Sequence, residues 1–154
     1  MEKLTNKINT QESKDFTKAK AIIERLFSAF TPTIIQTIDG TSVDLRFTAH
    51  TKNFDYEYAV ELKERNQDMT LYDKLPLTCR KLALMQGERR SNEKLLYLVM
   101  VNDSEYYIYD MDRTRLPIPI MWNIKKTQFK EKSEYVKMPT FFLDTSEAVN
   151  KGLI

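Results

Sequence analysis

The sequence predicts a mixed α/β domain, an α+β arrangement in which a mixed sheet is flanked by helices. A stretch with helical apolar spacing comes first, three segments with strand-like patterning follow, and a second helical stretch precedes a nearly continuous apolar run. Elements in this order usually pack helices against the faces of a central sheet. At 154 residues the chain is most simply one domain, spanning residues 1–154.

Composition narrows the classes of function. The chain is 42% hydrophobic and 30% charged, which is typical of a globular protein. No apolar run is long enough to span a bilayer and no signal peptide is evident, so no membrane partner is expected. The single cysteine, Cys79, cannot form an internal disulfide, which favours a cytoplasmic location. With one histidine, a zinc site or a Ser/His/Asp triad is disfavoured, and catalysis would depend on carboxylates, lysines and a hard metal ion.

The first helix is predicted from an apolar stripe with three- and four-residue spacing. This stripe runs from Phe16 to Phe30, and Pro32 ends it because the residue before a proline disfavours helical geometry. Asn9 and Glu12 have the form of a capping box, and Asp15 is a second candidate N-cap. The helix is therefore expected to begin near these residues.

Two strands are predicted next. Residues 33–38 are rich in β-branched side chains, Asp39-Gly40 is a strong turn signal, and residues 41–49 alternate in polarity. Asp44 is expected on the face opposite the core. The expected core-facing side chains of this second strand are Val43, Leu45 and Phe47.

Residues 57–66 are predicted as a third strand, up to Lys63, that runs into a charged turn, and the strand carries an acid and a base side by side. Because successive side chains of a strand alternate, Glu61 and Lys63 share one face. If the second and third strands pair as a hairpin, Asp44 lies beside Glu61 on that face. Two close carboxylates repel each other and raise a pKa unless a cation lies between them. This trio therefore suggests a cation-binding site.

The chemistry expected of that site is hydrolytic. Mg²⁺ prefers oxygen ligands and binds through one or two carboxylates together with substrate phosphate. A neighbouring lysine can orient or deprotonate water and stabilise charge on a phosphate oxygen. The pattern therefore suggests phosphodiester cleavage. An acid and a lysine two residues apart also occur as a solvent-facing ion pair, so a non-catalytic site stays open.

A second helix is predicted over Asp73–Gln86, with Asp73 as its N-cap, Pro76 in its first turn and Gly87 as its end. Its expected buried stripe consists of Leu75, Cys79, Leu82 and Met85. Leu95–Val101 is predicted as a strand covered on both faces, and Glu105–Tyr109 as another strand.

Residues 111–154 are expected to form an irregular basic extension to a core of about residues 16–110. Between residues 111 and 137 there are seven basic and three acidic side chains, with aromatic residues interleaved. That mixture suits a phosphate-facing surface, and a solvated hairpin equally well. Lys125 and Lys126 are candidate DNA-binding residues within it.

Asp44 lies in Ser-Val-Asp-Leu-Arg-Phe, and Val60-Glu61-Leu62-Lys63 follows on the next strand. This pair of motifs resembles the motifs of the PD-(D/E)XK nuclease superfamily, which has the restriction-endonuclease-like fold. The resemblance covers about residues 16–109 and implies the core order helix, three antiparallel strands, helix, strand. It implies a deoxyribonuclease with DNA as partner and Mg²⁺ or Mn²⁺ as cofactor. Asp44 and Glu61 would be metal ligands, the Leu62 carbonyl a backbone ligand, and Lys63 the catalytic lysine.

The resemblance also implies contacts from neighbouring elements. The second helix of such nucleases often supplies a basic or amide side chain, for which Lys81 is the candidate, and Arg65 is placed to contact a phosphate. A glutamate on the first helix is common near the metal, and Glu12 and Glu24 both stay open for it. A homodimer, formed through an edge strand or the apolar residues 118–122, stays open too. The alternative function is a non-catalytic nucleic-acid- or protein-binding domain of the same fold.

Overall fold

The computed structural model describes residues 2–37, 41–125 and 135–154. Its helices are α1 (Glu2–Leu26) and α2 (Cys79–Glu88). Its strands are β1 (Thr33–Gln36), β2 (Leu45–His50), β3 (Asp55–Arg65), β4 (Lys74–Thr78), β5 (Glu93–Val101), β6 (Glu105–Asp110), β7 (Ile120–Lys125), β8 (Tyr135–Asp144) and β9 (Asn150–Leu153). Neither helix is long and apolar enough within these ranges to cross a membrane.

A six-stranded mixed sheet forms the centre of the fold, in the order β1-β2-β3-β5-β6-β9. The first three strands are an antiparallel meander, as predicted. β3 then pairs with β5 in parallel, with Glu61 opposite Tyr97. Parallel neighbours need a long crossover connection, and here β4 and α2 provide it. The smaller second sheet has the order β4-β8-β7.

The core order of helix, three antiparallel strands, helix and a further strand is present. It is the order expected for a restriction-endonuclease-like core, and the predicted fold class is confirmed. β4 is an addition to that order, because it lies between the third strand and the second helix.

The central sheet has a hydrophobic cluster on each face. On one face, α1 packs Ala19, Ile22 and Ile23 against side chains of β2, β5 and β6. On the other face, α2 and the second sheet pack against residues of β3, β5 and β6. β5 shows this best, since Leu96 and Leu98 face α1 while successive odd-numbered residues face α2. The strand is covered on both faces, as predicted, and each such leucine contributes about 1.5–3 kcal/mol on burial.

The start of α1 differs from the prediction. The helix begins at Glu2, so Asn9 and Asp15 lie within it and neither is an N-cap. The sequence contains no glycine or proline between residues 2 and 26, and once a helix is nucleated each further residue adds a hydrogen bond. Local capping signals therefore did not set the boundary.

The residues predicted as the first turn of the second helix form β4 instead. Leu75 and Leu77 are both buried, which is the alternation of a strand, and they pair with Leu143 and Phe141 of β8. Pro76 is tolerated because β4 is an edge strand, where a missing N–H costs no ladder hydrogen bond.

α2 consequently starts at Cys79 and runs to Glu88, past Gly87. Its N-cap is Thr78 rather than Asp73, and the Thr78 hydroxyl accepts a hydrogen bond from the Lys81 N–H at 3.1 Å. Cys79 is only partly buried. The predicted buried residues Leu82 and Met85 do lie in the core.

The segment after residue 110 is irregular only in part where the structure describes it, since residues 111–119 lack helix and strand and the following residues form strands. β7 and β8 join β4 in the second sheet, and β9 adds to the central sheet beside β6. Val43 packs on the α2 side of the central sheet, opposite to Leu45 and Phe47, because β2 begins only at Leu45. The predicted Asp39-Gly40 turn lies outside the described residues.

Candidate active site

Asp44 lies immediately before β2, at the point where β3 continues past its partner. The Asp44 N–H donates to the Val60 carbonyl at 2.9 Å. The Leu62 N–H in turn donates to Asp44 Oδ2 at 2.8 Å. The carboxylate thus takes the position that the next backbone carbonyl of a longer β2 would occupy, which fixes it beside residues 61–63.

Glu61 is the most deeply buried acid of the site, with 4% of its surface exposed. Its Oε1 lies 2.8 Å from the Nζ of Lys81, whereas its Oε2 is buried with no hydrogen-bond partner in the described part of the chain. Burial is the main cause that raises the pKa of Glu61 to about 9, and the negative charge of Asp44 is the second. The positive charge of Lys81 acts in the opposite direction. Two neighbouring carboxylates repel each other and cannot donate hydrogen bonds while ionised, so a proton or a cation in addition to Lys81 would stabilise this pair.

Lys63 lies two residues further along β3, on the α2 side of the sheet like Glu61. Burial lowers the pKa of Lys63, the charge of Arg65 lowers it further, and the carboxylate of Glu61 opposes both effects. Arg65 has a buried Nε with no hydrogen-bond partner among the described residues. Its charge also lowers the pKa of Tyr97, although burial dominates there and raises that pKa to about 12. A cation cluster therefore adjoins the carboxylate pair.

Lys81 is the predicted residue that α2 brings to this cluster. Its ammonium pairs with Glu61, and about a third of its side chain remains exposed. Together Lys63, Arg65 and Lys81 outnumber the two carboxylates, and a site with this balance of charge attracts a phosphate group. The Thr78 cap determines where the helix starts and thereby which residue of α2 points at Glu61.

Among the remaining candidates whose side chains the structure describes, Glu24 is not brought to the site. Glu24 is exposed on α1, the helix that covers the opposite face of the sheet. Its Oε1 lies 3.9 Å from the Nζ of Lys20. The side chains of Glu12 and Lys125 fall outside the described part of the chain, as does the whole of Lys126.

Glu88 is a residue near the site that was not predicted from the sequence. Its Oε2 accepts hydrogen bonds from the backbone N–H groups of Ser42 and Val43, the two residues before Asp44. Because the predicted helix ended at Gln86, Glu88 fell beyond it, and only the structure shows this carboxylate in the last turn of a helix, where the helix dipole disfavours negative charge.

The donor set of the site suits a hard divalent cation. No group of three or more His, Cys, Asp or Glu side chains converges within residues 13–37, 41–123 and 135–154. The Asp44–Glu61 pair nevertheless supplies two carboxylates, one with a buried oxygen for which the described residues provide no hydrogen-bond partner. Mg²⁺ commonly binds through one or two carboxylates and completes its coordination with water and substrate phosphate.

Comparison with known proteins gives one structural likeness. No family model matches the chain, and no curated protein matches it. The chain is similar to a solved structure of Hjc, a Holliday junction resolvase from the archaeal hyperthermophile Archaeoglobus fulgidus. The two share 12% sequence identity with a TM-score of 0.48, and the alignment covers 84% of this chain and 89% of that one.

Proposed function

We propose that this chain is a metal-dependent nuclease that hydrolyses DNA phosphodiester bonds at Asp44, Glu61 and Lys63. The carboxylate pair supports the proposal most directly, because Glu61 is buried beside the partly buried Asp44 and its Oε2 has no hydrogen-bond partner within the described residues. Burying an acid without a full set of partners costs free energy. A binding module for an anionic ligand has no need of that arrangement, whereas a cation-dependent enzyme does.

Asp44 and Glu61 would hold Mg²⁺, or Mn²⁺ in its place, through their carboxylates. The Leu62 carbonyl would supply a further oxygen, since the Leu62 N–H faces Asp44 and both polar groups of a strand residue point to the same edge. When bound, the ion would stabilise charge on the phosphate and favour ionisation of water.

Lys63 would act on the attacking water and on the phosphate. Because burial lowers the pKa of Lys63, its ammonium releases a proton more readily than that of a surface lysine. It can therefore orient water and balance charge as the leaving oxygen departs.

DNA would be held chiefly through its phosphates. Arg65 and Lys81 lie beside the carboxylates, and Lys125 and Lys126 would contribute further along the backbone. A homodimer stays a prediction, for which the edge strand β7 carries the exposed Trp122.

A cleavage assay tests the proposal. Wild type, Glu61→Ala and Lys63→Ala would be compared on supercoiled, linear and branched DNA with Mg²⁺ or Mn²⁺. We expect each substitution to reduce cleavage at least about 100-fold. Glu24→Ala is the matched control, since Glu24 is exposed on the opposite side of the sheet. Unchanged cleavage in both site variants, or none by wild type on any substrate, would contradict the proposal, and binding without cleavage would favour the non-catalytic alternative.

A further inference from the structure

α2 contacts the site at two points, two helical turns apart. Lys81 pairs with Glu61 of β3 at 2.8 Å. Glu88, seven residues later, accepts hydrogen bonds from the N–H groups of Ser42 and Val43, the latter at 3.0 Å. Residues seven apart lie on the same face of a helix, about 10 Å apart along its axis. The same helix face therefore contacts both segments that carry the carboxylates.

Different groups hold the two parts of the segment leading to Asp44. Asp44 itself is bonded to its neighbours, because its N–H donates to the Val60 carbonyl and its carbonyl accepts from the Thr37 N–H at 3.1 Å, whereas the N–H groups of the two residues before it depend on α2. Residues 41–44 precede β2 and belong to no strand. Ser42 and Val43 are nearly or fully buried, so their N–H groups are shielded from water and need a protein acceptor. In the described part of the chain, the acceptor for both is the carboxylate of Glu88.

Glu88 also contradicts a local preference of its helix. A carboxylate in the last turn faces the negative end of the helix dipole. Arg46 holds the carboxyl-terminal end of α2 in place. Its guanidinium donates to the Glu88 backbone carbonyl at 3.1 Å and pairs with the buried carboxylate of Glu93 at 3.0 Å. Breaches of local rules are expected at functional sites, where another requirement outweighs them.

We propose that Glu88 is a positioning residue that sets the direction of the Asp44 carboxylate through the backbone of Ser42 and Val43. The inference rests on the proposed function in one respect, because it is there that Asp44 acts as a cation ligand. Since the rigid helix also holds Glu61 through Lys81, α2 fixes the separation of the two carboxylates. Glu88 itself would touch neither substrate nor cation.

Amide hydrogen exchange in the metal-free protein gives a readout independent of activity. The Leu62 N–H donates to Asp44 Oδ2, so its exchange reports where the Asp44 carboxylate lies. In Glu88→Ala we expect exchange at Ser42, Val43 and Leu62 to quicken at least tenfold. Glu88→Gln should restore most of the protection, because its amide oxygen still accepts. If Glu88→Ala fails to fold, Glu88→Asp provides the test, since its carboxylate is one methylene shorter.

Mn²⁺ titration measures the consequence for the site. We expect Glu88→Ala to weaken Mn²⁺ binding about 10-fold, a usual effect of removing a group that orients a ligand. In an Asp44→Asn background the same substitution should have no further effect. Gln86→Ala, exposed in the same turn of α2, is the matched control and should change neither measurement.

The outcomes separate the two proposals. If Leu62 exchange is unchanged in Glu88→Ala while Ser42 and Val43 lose protection, or if Mn²⁺ binding weakens equally with and without Asp44, the positioning role is overturned. If wild type neither binds Mn²⁺ nor cleaves DNA, yet Leu62 exchange follows Glu88, the nuclease function fails and the positioning of Asp44 stands.

Discussion

Glu61→Gln is expected to stabilise the metal-free protein at neutral pH, although it changes the acceptor of Lys81 from a carboxyl group to an amide. Burial and the neighbouring Asp44 raise the pKa of Glu61 to about 9 in the folded chain, against an ordinary value of 4.5. Below pH 4.5 both folded and unfolded chains are protonated at this residue, so it carries no penalty. Between pH 4.5 and 9 the unfolded chain releases a proton that the folded chain retains, and stability falls as the pH rises.

The size of the effect follows from these two pKa values. Each unit of pKa difference corresponds to 1.36 kcal/mol, so at pH 7.5, three units above the ordinary value, the penalty approaches about 4 kcal/mol. Glutamine cannot ionise and avoids this penalty, but its amide group has to replace the carboxyl group as the acceptor for the Lys81 ammonium. We therefore expect a stabilisation of about 2–4 kcal/mol at pH 7.5 that vanishes near pH 4.5.

Urea unfolding in EDTA, followed by circular dichroism between pH 4.5 and 9, measures this difference. Glu24→Gln serves as the control for a solvent-exposed glutamate. Saturating Mg²⁺ should narrow the gap, because a cation that binds only the folded wild type stabilises it by mass action. An effect of Glu61→Gln that is the same at every pH, or destabilising at pH 7.5, would show that Glu61 is ionised in the folded protein and refute the reasoning.

Three further predictions concern other parts of the molecule. Lys63→Met should lower DNA cleavage at least about 100-fold while Mg²⁺ still raises the melting temperature; loss of both effects would contradict a role in catalysis alone. Glu93→Ala removes the buried partner of Arg46 at 3.0 Å and should lower the free energy of unfolding in urea by about 3–5 kcal/mol; a loss below about 1 kcal/mol would mean that the pair is effectively solvated. Gly152→Ala places a Cβ 2.9 Å from the hydroxyl of Tyr106 and should cost about 1–3 kcal/mol, with faster amide exchange in β9; unchanged stability would show that Tyr106 moves aside freely.

The faces of the strands could be predicted because strand periodicity is a local property. Glu61 and Lys63 share a face whatever β3 pairs with, and the alternation in β5 is equally independent of its neighbours. The pairing of Asp44 with this face required only a hairpin between adjacent strands. Lys81 could be placed on the correct side of α2 although the start of that helix was predicted wrongly, since helical period and helix boundary are separate properties.

The features that escaped prediction depend on distant partners. The spacing of Leu75 and Leu77 fits a strand, but Leu75 also fits the apolar stripe of a helix. Pairing with β8, nearly 70 residues later, determines that the segment is a strand. Glu88 bonds to backbone amides 45 and 46 residues away, and a backbone amide has no signature in the sequence. Both cases reflect tertiary contacts that override local pattern.

The pairing of β3 with an early and a late neighbour has a kinetic consequence. β2 and β3 form a local hairpin, so Asp44 and Glu61 meet while both are still exposed to water. α2 and the parallel strand β5 join only after the long crossover closes, a slow step because of its loop entropy. The electrostatic cost of enclosing the acids therefore falls late in folding, where it affects the unfolding rate more than the folding rate. We therefore expect a bound cation mainly to slow unfolding and so to prolong the lifetime of the native state.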